Sequence, residues 1–137
     1  MSNRRATDFL QLVLPLIAYC AMIYYVSSLP SPPTPDLGFD WGDKVVHAGA
    51  FGLMGVLAVR AARWFAEGKT LARWITVGLL FCCIYAGLDE VHQSYVPGRD
   101  ADVMDWVADI VGAALAGGAI WLIRRTGWGA ALFNPRT

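Results

Sequence analysis

Charge is scarce in this chain. Asp, Glu, Lys and Arg make up 16% of its 137 residues, where an ordinary soluble domain has roughly a quarter, and 56% of its residues are apolar. Such a composition cannot supply a normal aqueous surface, so a membrane protein is the leading class. Cysteine is equally sparse. Cys20, Cys82 and Cys83 all fall inside apolar stretches, and no second pair of close, exposed thiols exists for a disulfide framework or a metal clasp, so they read as small apolar residues. The chain also lacks internal repeats, low-complexity tracts and any sign of a second domain, and residues 1–137 read as one unit. There is no Ser nucleophile motif, no phosphate-cradling Gly loop and no nucleotide fingerprint, and nothing implies a nucleic-acid partner.

What the chain does have is four apolar segments: Phe9 to Val26, Val45 to Val59, Trp74 to Leu88 and Val103 to Ile123. About 20 helical residues cross the roughly 30 Å of hydrocarbon, and the two middle segments reach that length once their polar flanks are included. The expected fold is all-α: a polytopic membrane protein forming a compact four-transmembrane-helix bundle, with helices over about 9–27, 44–62, 72–93 and 103–123. The first apolar run exceeds a usual signal-peptide core, and Val26-Ser27-Ser28 is a mediocre cleavage site, so this segment is expected to stay in place. Pro15 is positioned to kink it.

The few charges are sorted by side. The N-terminus, the Arg60 to Arg73 loop and the C-terminal tail hold nine of the eleven basic residues; the other two loops hold nine of the eleven acids, with only Lys44 and Arg99 as cations. By the positive-inside rule both termini are expected in the cytoplasm. Trp41, Trp64, Trp74, Trp106 and Trp128 lie near expected helix ends, as interfacial anchors do. Ala48, Gly52 and Gly55 on the second helix, and Gly112, Ala113, Ala116 and Gly117 on the fourth, form small faces on which helices can pack closely. The Pro-rich stretch "SSLPSPPTPDLGFDWGD" disfavours helix and reads as an extended cover over the outer end.

Counting helical rises from the basic ends places His47, Asp89 and Asp109 about 20 to 22 Å up their helices, in one layer below the outer boundary. Glu90, Asp105, Lys44 and Asp43 fall just above it. Asp43 and His47 are one turn apart; Tyr85, Asp89, His92 and Gln93 share a face, as do Asp105, Asp109, Gly112 and Ala116. Charges near hydrocarbon cost at least about 2.5 to 3.5 kcal/mol apiece, so several together need pairing, water or a ligand. Asp43 and Asp102 suit helix N-termini, and Pro97-Gly98 suits a tight turn. Asp89 and Glu90 sit at a helix C-terminus, where acids are disfavoured and need a partner. Lys44 or Arg99 is expected to pair with one of them. His47, Asp89 and Glu90 are the candidate catalytic groups; Asp43, Lys44, Tyr85, His92, Gln93, Arg99, Asp105 and Asp109 are the candidate binding groups.

Together "DKVVH" at Asp43 to His47, "DEVHQSYVPGR" at Asp89 to Arg99, Asp105 with the following "DIVGAALAG", and "YYVSSLPSPP" closing the first helix resemble the VanZ-like family of small bacterial membrane proteins. The resemblance covers nearly the whole chain, although Asp109 stands where many members carry Asn. It implies a multi-helix domain of the bacterial cytoplasmic membrane and a link to teicoplanin-type glycopeptide resistance, without implying a reaction. The expected function is an outer-leaflet site that binds or processes a lipid-linked or lipophilic envelope molecule, with membrane lipids as partners and oligomerisation left open. The alternatives are a non-catalytic shielding protein and a proton-linked transporter, the latter disfavoured because the acids stop in one layer. His47, His92, Asp43, Asp89 and Glu90 offer metal donors, but their spacings match no zincin pattern, and neither a metal nor a cofactor is assigned.

Overall fold

Between Asn3 and Arg124 the chain forms five helical segments: α1 (Asn3–Leu12), α2 (Leu14–Ser27), α3 (Gly42–Phe65), α4 (Leu71–Gln93) and α5 (Val103–Arg124). The computed structural model describes residues 3–32, 35 and 37–126, and residues 3 and 4 by backbone alone. Trp128, Arg136 and part of the Pro-rich cover lie outside the described residues. Segments α1 and α2 make one span, Arg5–Ser27, so among the described residues four spans are long and apolar enough to cross a bilayer. This is an all-helical bundle with the multi-pass character expected, and each span runs up to four residues beyond the expected bounds.

The break in the first span has a local cause. Pro15 stands in the first turn of α2 and offers no N–H to the Gln11 carbonyl four residues earlier. The ladder holds on either side, from Val13 N to Phe9 O at 2.9 Å and from Ile17 N to Val13 O at 3.1 Å. The freed Gln11 carbonyl accepts instead from Arg60 Nη2 on α3, at 3.4 Å. The starts of α4 and α5 are capped: the Thr70 side chain accepts from Arg73 N, and Asp102 Oδ1 accepts from Met104 N at 2.8 Å. Asp43 is not a cap. It lies in the first turn of α3, behind Trp41 at the cap position, where the helix dipole still favours an acid.

Helix α3 is the centre of the bundle and packs on every other helix, most extensively on α5. Phe51, Met54 and Ala58 of α3, Cys82 and Ala86 of α4 and Ala113 of α5 form the buried core, while Leu80, Ile84, Leu88 and Leu115 face outward as lipid-facing residues do. The small faces meet as expected. A Cβ on Gly55 would lie 3.1 Å from the Ala113 Cα, and α4 joins through Gly78, whose added Cβ would lie 2.9 Å from the Val59 N. These close approaches need a glycine on one side of each contact.

The two ends differ in charge chemistry. At the basic end Trp74 donates to the Ala66 carbonyl at 3.0 Å, with the Arg63 and Arg124 guanidinium groups over its ring at 5.5 and 5.9 Å. Trp106, expected as an interfacial anchor, instead turns inward and donates to the Cys83 carbonyl at 3.2 Å. At the opposite end α4 finishes and α3 and α5 begin, and the acids gather there.

Candidate functional site

Two polar networks occupy this end, divided by the direction in which neighbouring residues of α4 point. The larger lies among α3, α4 and α5. Lys44 Nζ is held by Asp43 at 3.0 Å and by Asp102 and Asp105 at 2.6 Å each, which ties the start of α3 to the start of α5. One turn deeper, His47 lies with Nδ1 3.1 Å from Asp109 Oδ1 and Nε2 3.7 Å from Asp105 Oδ2. Glu90 enters from α4, its Oε2 accepting from the Asp102 backbone N–H at 2.9 Å. Side-chain exposure falls from 52% at Asp43 and 45% at Asp102 to 13% at Asp105 and 0% at Asp109. The cluster therefore forms a funnel of falling exposure from the end of the bundle to a buried floor.

Helix geometry produces this arrangement. Lys44 and His47 are three residues apart on α3, and Asp102, Asp105 and Asp109 follow at three and four on α5, so each set makes a single stripe. The stripes face because Ala48 and Gly112, which neighbour His47 and Asp109, let α3 and α5 approach closely. At the floor, Glu90 Oε1 and Asp109 Oδ2 are buried without a hydrogen-bond partner.

The second network joins α4 to the end of the first span. Asp89 is buried and its Oδ2 accepts from Ser27 Oγ at 2.8 Å and from Gln93 Nε2 at 2.7 Å. Gln93 Oε1 in turn accepts from Arg99 Nη2. Arg99 is aimed by a turn in which its N–H donates to the Val96 carbonyl at 3.1 Å, with Pro97 second and Gly98 third at φ +84°. Beside it His92 Nε2 lies 3.0 Å from Ser28 Oγ and the His92 ring rests on Tyr24, centroids 4.5 Å apart. The Ser28 proton goes to the Tyr24 carbonyl at 2.7 Å, so the His92 nitrogen is the donor in that contact. Tyr85 donates to the Cys20 carbonyl at 2.7 Å.

The expected layer is thus divided. His47, Glu90, Asp105, Asp109, Lys44 and Asp43 come together; Asp89, Gln93, Arg99, His92 and Tyr85 go to the other side of α4. The expected ion pair forms with other acids: Lys44 takes Asp43, Asp102 and Asp105, and Arg99 reaches Asp89 only through the Gln93 amide. Adjacent residues on a helix diverge by about 100°, so Asp89 and Glu90 cannot share partners. Ser27 and Ser28 were not foreseen as members. The signal available was a pair of hydroxyls closing the first span at the level of Asp89. Asp102 was foreseen only as a cap, and it also bridges to Lys44.

Asp102 lies just before α5, outside the spans, and its carboxyl is held below the ordinary Asp range by the hydrogen bond from Lys44, with further help from the Met104 N–H. A lowered folded-state pKa stabilises above the unfolded value of about 3.9 and is lost as pH falls through the folded value. The Lys44–Asp102 contact is therefore expected to stay intact from pH 8 down to about 5, read as an unchanging Asp102 carboxyl carbon shift in an NMR titration.

This geometry defines a class: an all-helical multi-pass membrane protein carrying a graded polar cluster at one end of its bundle. A family model described as VanZ/LLP1 matches residues 15–124, which include both networks. The chain belongs to that family. No protein of curated function and no solved structure matches it.

Proposed function

We propose that the protein lies in the bacterial cytoplasmic membrane with both termini in the cytoplasm, and that its acidic end binds or processes the polar head of a lipid-linked or lipophilic envelope molecule in the outer leaflet. The observation that carries this reading is the funnel, in which charge runs from a half-exposed rim at Asp43 and Asp102 to a floor at Asp109 with no exposed side-chain surface. Its rim lies at the ends of three spans, the depth at which lipid headgroups sit. Four spans with bases concentrated at the end that carries the termini support the orientation.

The chemistry follows from what each residue can still do. Lys44 is fully engaged with carboxylates, so its function here is to hold α3 to α5. Glu90 and His47 are the groups with capacity left for proton exchange with a bound head group, Glu90 through its unpartnered Oε1. Arg99, on the other side of α4, is a second cation at this end of the bundle for an anionic part of the same molecule. If the bound molecule is a cell-wall precursor or a lipoglycopeptide, binding at this end would connect the protein to teicoplanin-type resistance.

The test is native mass spectrometry of protein released gently from its own membrane, comparing wild type with Glu90→Gln and His47→Ala. A specific lipid-linked species is expected on the wild type and at least about tenfold depleted on His47→Ala, which opens the floor. Glu90→Gln separates the two forms of the reading: accumulation of bound, unconverted molecule indicates processing, and unchanged occupancy indicates binding alone. Wild-type protein free of any specific lipid would sink both.

A further inference from the structure

Three helices send one donor each to the floor of the funnel: His47 from α3, Glu90 from α4 and Asp109 from α5, with one ligating atom of each within 4.8 Å of the others. We infer that this floor is a binding site for a divalent transition-metal ion, of the zinc or manganese type. Two observations independent of that convergence point to a cation. Glu90 Oε1 and Asp109 Oδ2 have no hydrogen-bond partner, and they belong to residues 7% and 0% exposed. Two carboxylates held out of water with an unbonded oxygen each are costly unless a cation meets them. A single divalent ion satisfies both oxygens and cancels both charges.

The donor set and its surroundings fit such an ion. One imidazole and two carboxylates match the preferences of zinc and manganese. The supporting contacts are in place. The second oxygen of Glu90 is held by the Asp102 N–H at 2.9 Å, which leaves its first free to ligate. The His47 Nδ1 to Asp109 Oδ1 separation of 3.1 Å sets the imidazole beside the Asp109 carboxylate, and Asp105 Oδ2 lies 3.7 Å from the other ring nitrogen. Lys44, one turn above His47, neutralises Asp105 and its neighbours and so keeps the remaining acids from competing for the ion. Of the donors considered from sequence, His92, Asp43 and Asp89 are committed elsewhere, and Asp109 joins in their place.

This inference goes beyond the lipid reading, and the two fail separately because metal content is read on protein exchanged fully into detergent. Full-length protein purified without chelator from metal-replete cells, on a tag that binds no metal, is expected to carry about one zinc or manganese per chain by elemental analysis. After stripping with EDTA it should rebind one of these ions saturably, and its thermal midpoint should rise with the added metal and fall again with chelator. Glu90→Gln and Asp109→Asn should each weaken binding at least about tenfold, while Leu115→Ala, on the outward face of α5, should bind as wild type does. Absence of saturable zinc and manganese binding by wild type overturns the inference, and so does undiminished binding by a folded Glu90→Gln. If both variants misfold, the wild-type midpoint decides: no shift with either ion overturns the site.

Discussion

Replacing Lys44 by Met is expected to cost about 3 kcal/mol of stability, near the low end for breaking a buried ion pair by removing one partner. Three carboxylates converge on Lys44 Nζ within 3.0 Å. Asp43 and Asp102 are half-exposed, and water can replace most of what they lose. Asp105 is different: it is 13% exposed, its other neighbour is His47 at 3.7 Å, and after the substitution it would keep its charge with the cation gone. The N-terminus of α5 offsets part of this through its dipole, which is why the larger figures for fully buried pairs do not apply. Chemical or thermal unfolding in detergent measures the effect, and a loss under about 0.5 kcal/mol would show that Lys44 is not what fastens α3 to α5. The double variant Lys44→Met, Asp105→Asn should recover much of the loss, because it removes the stranded charge along with its partner.

Which features were legible in the sequence follows from the range over which each is decided. A span is a local property, since run length and flanking charge determine it, and all four spans appear where they are expected. Their ends extend further, to Gly42 and Phe65 on α3, because polar flanks continue a helix once neighbouring helices support it. Depth is also local. Counting rises placed His47 and Asp109 in one layer, and they lie in contact. Azimuth is not local. Whether Asp89 or Glu90 faces α5 depends on how α4 is rotated in the bundle, which is set by packing such as Gly78 against Val59. Members of the site could therefore be named from sequence, but the pair expected between Lys44 or Arg99 and Asp89 or Glu90 gives way to Lys44 on other acids and Arg99 on the Gln93 amide. Ser27 was missed for a related reason: a hydroxyl near a span end is common, and only its contact with Asp89 makes it part of a network.

A single methyl group at Gly112 is expected to disturb the fold and the site together. A Cβ there would lie 2.6 Å from the Ala48 carbonyl carbon and 2.7 Å from the Ala48 Cα, both of them backbone atoms that no rotamer change can move aside. Helix α5 would have to back away from α3, and the expected cost of Gly112→Ala is about 3 kcal/mol, the upper end of the usual range for overpacking. Gly118, one and a half turns further along the same helix, is the control: an added Cβ meets nothing within 4 Å, so Gly118→Ala should be neutral or stabilising by up to about 1 kcal/mol. Equal effects at the two positions would mean that helix propensity, and not interhelical contact, governs both. The consequence for the site comes from sequence adjacency. Ala48 follows His47 and Gly112 lies one turn from Asp109, so any separation of α3 from α5 at this point pulls directly on the 3.1 Å contact at the floor of the funnel. Gly112→Ala should therefore lower ligand and metal occupancy under conditions where the protein is still folded, whereas Gly118→Ala should leave both unchanged. A fold held together by close backbone contact cannot loosen there without taking the polar cluster apart.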